Sequence, residues 1–274
     1  MSPMRALLLS AAVLVSAGSN NAGAADLYGG SIKDGGYAPV VESARRSFYL
    51  RLDGGYSWAG QPDISETQVC GSCSTTYDLT ETSLDDTWTL GGGVGMNITN
   101  RIRADLTYDH LFSADAEGWL GEGALIGMRK FDVSSDVFLA NLYYDFDFGS
   151  RITPYVGAGI GFARNKTGAG TVEDCGCVVG NIESGSNTEL AFAGMAGVSI
   201  LLTHGQQVMG GIKDAPVFVD SVRKLSLDIG YRYLYLGDAE TGPVTRAGVN
   251  YSDDPVVESM DAHQIRVGLR YNLQ

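Results

Sequence analysis

Histidine and cysteine are scarce in this chain, three of one and four of the other among 274 residues. So few imidazoles and thiols leave little material for a metal centre or a nucleophilic triad. Long apolar runs are missing too. The one sustained apolar stretch, Ala6 to Ala17, has twelve residues, whereas a helix needs about 20 to cross hydrocarbon, so an inner-membrane helical protein is excluded. Positive charge is also short: 19 Lys and Arg against 32 Asp and Glu give a net charge of −13, which argues against nucleic acid as a partner.

What is present begins with an export leader. Arg5 supplies a positive start, Ala6 to Ala17 the apolar core, and Ala22-Gly23-Ala24 the small residues a signal peptidase requires. Residues 1–25 therefore read as a Sec-dependent signal peptide cleaved after Ala24 or Ala25, residues 26–46 as a periplasmic N-terminal segment, and 47–274 as one all-β domain. Glycine at 37 and tyrosine at 14 suit many strands with aromatic ends.

The strands are visible as period-two alternation. His263 to Gln274 is the clearest: Ile265, Val267, Leu269, Tyr271 and Leu273 alternate with Gln264, Arg266, Gly268, Arg270 and Asn272. Seven earlier segments repeat the pattern. Their apolar faces begin with Phe48, Leu50, Leu52, Tyr56 and Trp58; Trp88, Leu90, Val94, Met96 and Ile98; Ile102, Ala104, Leu106 and Tyr108; and Phe138, Ala140, Leu142, Tyr144, Phe146 and Phe148. They continue with Ile152, Pro154, Val156, Ala158, Ile160 and Phe162; Leu190, Phe192, Ala196, Val198 and Ile200; and Leu225, Leu227, Ile229, Tyr231, Tyr233 and Tyr235.

None of these faces carries a charge. About eleven tilted residues cover the ~25 Å apolar band of an outer membrane. The expected architecture is an eight-stranded antiparallel transmembrane β-barrel. Tight turns at Thr99-Asn100 and Gly149-Ser150-Arg151 fall at one end, and four long surface loops at the other: Ala59–Asp86, Ser113–Val137, Ala163–Thr188 and Gly237–Ala262. The connection Thr203–Lys224 is too long for a tight turn; a periplasmic flap and a lengthened strand are both open.

The opposite faces carry ions. Arg51, Arg101, Arg103, Arg232, Arg266 and Arg270 would point inward with Asp53, Asp105, Asp109, Asp145, Asp147, Glu189 and Asp228. Eight strands leave an interior just wide enough for side chains, so near-balanced charge there implies a lumen plugged by salt bridges, with a narrow ion-selective pore as the alternative. Asp145 and Asp147 could be read as acid/base machinery, but their spacing follows the strand period. His110 and His263 lie near outer strand ends with Ser113 close to His110, the ingredients of a rim lipid-modifying enzyme without a fixed acid.

Cys70 and Cys73 share one loop and Cys175 and Cys177 another. In an oxidising envelope they read as disulfide candidates, links between the two loops being the least strained, with zinc thiolates as the alternative. Rings gather at strand ends. Tyr56, Trp58, Trp88, Tyr108, Phe162, Tyr233 and Tyr235 mark an outer interface, and Phe48, Phe146, Phe148 and Tyr271 an inner one.

The alternation in Tyr49-Leu50-Arg51-Leu52-Asp53-Gly54-Gly55-Tyr56-Ser57-Trp58, the stretch Leu142-Tyr143-Tyr144-Asp145-Phe146 and the run Thr153-Pro154-Tyr155-Val156-Gly157-Ala158-Gly159-Ile160-Gly161 resemble the OmpA-type eight-stranded barrels, in particular the small alphaproteobacterial surface proteins and opacity-type adhesins. The resemblance covers residues 47–274. It implies a monomer in the Gram-negative outer membrane, surrounded by lipid and lipopolysaccharide, with a structural, adhesive or weakly channel-forming role, no catalysis, no cofactor and a host or surface ligand met by the loops. Leu269, Tyr271 and Leu273 resemble the terminal signal read by the barrel-assembly machinery, although Leu273-Gln274 replaces the usual terminal Phe. A secreted lipocalin-like barrel, with the same apolar faces turned inward around a ligand, is the soluble alternative.

Overall fold

A computed structural model describes residues 47–70, 73–123, 125–209 and 217–273; the expected leader and the segment 26–46 lie outside them. The described residues form an all-antiparallel sheet of fourteen strands. In chain order these are β1 (Ser47–Ala59), β2 (Asp63–Cys70), β3 (Cys73–Asp78), β4 (Thr80–Leu84), β5 (Thr87–Asn97), β6 (Ile102–Leu120), β7 (Gly127–Asp145), β8 (Ile152–Thr167), β9 (Gly170–Asp174), β10 (Cys177–Ile182), β11 (Gly185–Met209), β12 (Val217–Glu240), β13 (Val244–Arg246) and β14 (Val249–Asn272).

Eight of them pair successively, β1 with β5, then β6, β7, β8, β11, β12 and β14, and β14 pairs in turn with β1. The last pairing runs from Tyr49↔Asn272 to Ala59↔Ala262. At one end the links are short, 98–101 and 146–151, the second turning at Gly149, whose φ of 71° favours a residue without Cβ. The connection Thr203–Lys224 lengthens both flanking strands, since β11 and β12 stay paired as far as Met209↔Val217.

The four long segments expected to be loops are largely strand. β7 shows why. Its outward face reads Lys130, Asp132, Ser134 and Asp136, then abruptly Phe138, Ala140, Leu142 and Tyr144, while the inward face reads Phe131, Val133, Val137 and Leu139, then Asn141 and Tyr143. Both faces invert polarity across one narrow zone, the outer between Asp136 and Phe138 and the inner between Leu139 and Asn141, with Ser135 a polar residue among the inward apolar ones. Below it the wall is apolar outside and polar inside; above it, polar outside and apolar inside. The outward apolar side chains below this level stay open, Leu52 at 61% and Leu106 at 63% exposure. An uninterrupted belt of this kind suits lipid and not water. That arrangement overturns the lipocalin-like alternative, in which the same faces would line the interior.

On β6 the inversion coincides with a register shift between Leu111 and Ala114, after which Ala114, Ala116 and Leu120 point inward in place of the odd-numbered residues. The upper wall continues through β9, β10 and β13, which bridge β7 to β14, through the β2–β3 hairpin on β14, and through β4 on β6. It encloses an apolar core of Ile64, Leu120, Phe131, Val133, Val172, Ile182, Leu234, Val244 and Val257. Such a core is what stabilises hairpins that project into water.

Truncating a buried ring in this core leaves a cavity the packed strands cannot close. Phe131→Ala should therefore cost about 3–5 kcal/mol of local stability and expose the Lys130 bond to trypsin. Asp132→Asn, one residue away on the outer face, should change stability by no more than about 0.5 kcal/mol. Urea titration and limited proteolysis of the protein refolded in detergent check both.

Candidate functional site: the charged lumen and the outer rim

The inward residues of the lower wall form a connected lattice. Arg51 binds Asp53 at 2.7 Å and Asp105 at 2.8 Å. Asp105 also accepts hydrogen bonds from the Tyr49 hydroxyl at 3.0 Å and the Asn141 amide at 2.8 Å. Arg103 reaches Asp145 at 3.0 Å and Asp228 at 3.9 Å, and Arg270 reaches Asp228 at 3.2 Å while donating to Ser199 Oγ at 2.7 Å. Higher up, Arg232 donates to Asp109 at 2.7 Å and to Gln264 at 2.6 Å, and Arg266 bridges Asp109 and Asp53.

Five arginines thus meet five aspartates across five strands. Exact neutrality matters in a low-dielectric interior, where an uncompensated charge is costly and a paired one roughly breaks even. The Arg103 guanidinium also lies over the rings of Tyr143, at 4.2 Å, and Tyr155, at 4.8 Å. Glycines make the room: a Cβ on Gly91 would stand 2.1 Å from Asp109 Oδ1, and one on Gly95 would stand 2.3 Å from Tyr49 Cζ.

Three residues expected in the lumen are elsewhere. Glu189 is half-buried near the upper end, accepting from Asn187 at 3.4 Å, and makes no ion pair among the described residues. Arg101 and Asp147 are exposed at the short turns, Asp147 accepting the Gly149 N–H at 2.8 Å. Both follow from strand ends: β6 begins at Ile102 and β7 stops at Asp145, so the inward parity ends before either is reached. Asp145 and Asp147 are thereby separated.

A second buried ion pair has no counterpart in the sequence reading. Arg129 of β7 grips Glu66 of β2 at 2.7 Å and donates to the carbonyls of Leu125 and Gly127. It holds the β2–β3 hairpin across the top of the core. Its signal is the inward parity Arg129 shares with Phe131 and Val133, which an assignment of Ser113–Val137 to a loop conceals.

At the outer rim, His110 Nδ1 lies 2.8 Å from Asp136 Oδ1, an acid that sequence spacing did not supply. Burial raises the Asp136 carboxyl, but hydrogen bonds from Lys166, His110 and Tyr108 outweigh it and hold the group below the ordinary carboxylate range. Ser113 is exposed and makes no hydrogen bond among the described residues. His263 meets the Tyr231 hydroxyl through Nδ1. The girdle rings Trp58, Trp88, Tyr108, Phe162 and Tyr233 are exposed at this level, and Phe48, Phe146, Phe148 and Tyr271 at the opposite end.

The inter-loop disulfides are not formed. Cys175 and Cys177 are free and exposed at the β9–β10 turn, while Cys70 and Cys73 are Cα partners across the β2–β3 hairpin. Strands β13 and β14 stand between the two hairpins. Among the described residues no three potential ligands gather as a metal site. Leu269 and Tyr271 face outward on β14, and the Leu273 N–H donates to the Phe48 carbonyl just beyond it.

Asp109 serves two buried arginines, so Asp109→Ala should strip Arg232 of its carboxylate, leave Arg266 only Asp53 at 3.7 Å, and destabilise the fold by about 3–5 kcal/mol. Asp147→Ala should be neutral. Comparison of urea midpoints in one detergent tests the pair.

Comparison with known proteins places this geometry. A family model described as "Outer membrane protein beta-barrel domain" matches residues 8–272. A protein of Brucella abortus (strain 2308) is 27% identical over 287 residues, covering 92% of this chain and 93% of its own. Among solved structures, Neisserial surface protein A aligns over 83% of this chain and 98% of its own at 18% identity and a TM-score of 0.40. OprG of Pseudomonas aeruginosa aligns over 84% and 98% at 12% identity and a TM-score of 0.47. With the family model spanning nearly its whole length, this chain belongs to the outer membrane protein β-barrel family and resides in the outer membrane of a Gram-negative cell.

Proposed function

We propose that the eight strands paired as a ring cross the outer membrane as one monomeric barrel, with the hairpin-rich end outside. Its role is structural and adhesive: it contributes to envelope integrity and carries hairpin tips outward to meet a surface ligand, without catalysis. The observation that supports this reading is the filled interior. Among the described residues the arginine–aspartate lattice occupies the lower half and the apolar core the upper half, a filling that suits a barrel of few strands and not the aqueous lumen of a wide one. The rigid upper wall suits a display role, because it holds the β2–β3 and β9–β10 turns at fixed positions instead of on slack loops.

A low-conductance pore is the second reading. It draws on guanidinium N–H groups of Arg103 and Arg232 that find no acceptor among the described residues, sites at which transient hydration could open a narrow path. Planar-bilayer recording separates the two. The structural reading expects at most small, rare openings from purified protein, and large steady currents overturn it.

Assembly follows from β14. Leu269, Tyr271 and Leu273 are proposed as the segment recognised by the barrel-assembly machinery, and β14 is also the strand that joins β12 to β1. Deleting Leu269–Gln274 removes Arg270 and the pairings that reach Leu52. It leaves two strand edges open. The deletion should abolish the heat-modifiable form on SDS gels and leave degraded or aggregated protein in the periplasm.

A further inference from the structure

The polarity boundary on the outer surface is sharpest across β6, β7, β8 and β11, where cross-strand register places whole rows of side chains level. Tyr108, Phe138, Phe162 and Leu190 form one row, and His110, Asp136, Arg164 and Thr188 the next one outward. Lys166 stands one further step out on β8. The aromatic row is open to lipid, with Phe138 and Phe162 each more than half exposed. The row above it therefore lies where headgroups begin.

Charge is unevenly placed along this boundary. On β14 and around the start of β5 it is acidic, with Asp261, Asp85 and Asp86. On β8 it is cationic, in a chain of net charge −13. The carboxylate opposite Arg164 is already engaged: Asp136 Oδ1 takes the Tyr108 hydroxyl and His110 Nδ1, both at 2.8 Å, and Oδ2 takes Lys166 Nζ at 2.6 Å. Lys130, higher on β7, is held by Glu173 at 3.0 Å. Arg164 is exposed and, although opposite Asp136 in register, forms no ion pair or hydrogen bond among the described residues. A planar guanidinium with its donors unspent, beside an ammonium and directly above a shelf of rings, matches a phosphate carried on an acyl chain.

We propose that Arg164, with its donors free, and Lys166, positioned by Asp136, form a docking site for the phosphorylated headgroup of an outer-leaflet lipid, whose chain lies over Phe138 and Phe162. The free anion shares the headgroup chemistry, but a soluble phosphate gains nothing from the aromatic row, which favours the lipid. The site rests on the orientation proposed above; the protein's two ends are compared directly so that failure of one idea is distinguishable from failure of the other.

The test uses the full-length protein refolded in detergent and mixed with bisphosphorylated lipid A, dephosphorylated lipid A or inorganic phosphate. Retained lipid is counted by native mass spectrometry. Phosphorylated lipid A should be retained, the dephosphorylated form should not, and millimolar inorganic phosphate should not displace it. Losing charge-assisted bonds should lower retention roughly ten-fold or more in R164Q/K166Q, with R164Q alone giving a partial loss. R101Q removes an exposed arginine at the short-turn end and should leave retention unchanged. Heat-modifiable migration verifies folding of each variant, and R164Q alone decides the matter if the double variant does not fold. Equal retention by wild type and R164Q, or equal retention of dephosphorylated lipid, overturns the site. Displacement by inorganic phosphate shows a free-anion site and overturns the lipid assignment. Loss in R101Q instead of R164Q places headgroup binding at the other end and overturns the orientation with it.

Discussion

Charge neutrality inside a narrow ring of strands is the constraint from which the other features follow. Eight strands leave space for side chains and little else, so every inward ion must find its counterion within that space. Asp109 does so with Arg232 and Arg266, Asp228 with Arg103 and Arg270, and Asp105 with Arg51. Since these partners come from different strands, a one-residue slip of any strand would turn its ion toward lipid and strand the partner inside. The lattice therefore acts chiefly on register, and glycines such as Gly91 are required where a carboxylate or ring already fills the space a Cβ would occupy.

Period-two alternation made the lower wall legible in the sequence. Charge on one parity and aliphatic groups on the other can be read from Tyr49 to Trp58 or from Gln264 to Tyr271 without knowledge of which strand is the neighbour. Tyr49, Asn141, Ser199 and Gln264 were harder. Each lies on the polar parity of its strand, but an uncharged group declares no counterpart, and its place in the lattice depends on cross-strand register.

The upper wall was not legible for a different reason. Its alternation has the opposite phase, with Phe131 and Val133 inward and Lys130 and Asp132 outward, so a scan for outward apolar faces stops at the boundary and labels what lies beyond as loop. The Glu66–Arg129 pair was lost with it. Glu189 failed in the other direction: its parity is inward, yet it sits high on β11, where the interior is already apolar and no arginine of the lattice can reach.

Closure and neutralisation are the same event in this protein. Strand β14 brings Gln264, Arg266 and Arg270 into the lumen together, and two of these serve Asp109 and Asp228, carboxylates contributed by β6 and β12. Without β14, Asp109 has only Arg232 as counterion and Asp228 only the more distant Arg103 at 3.9 Å. The interior is then short of positive charge by the amount the last strand carries. Edge pairing alone would gain backbone hydrogen bonds for any extended segment of suitable length. Coupling that pairing to the relief of buried negative charge makes it selective for this segment in this register, because a shift by one residue would present Ile265 or Val267, and Leu269 or Tyr271, where a guanidinium is needed.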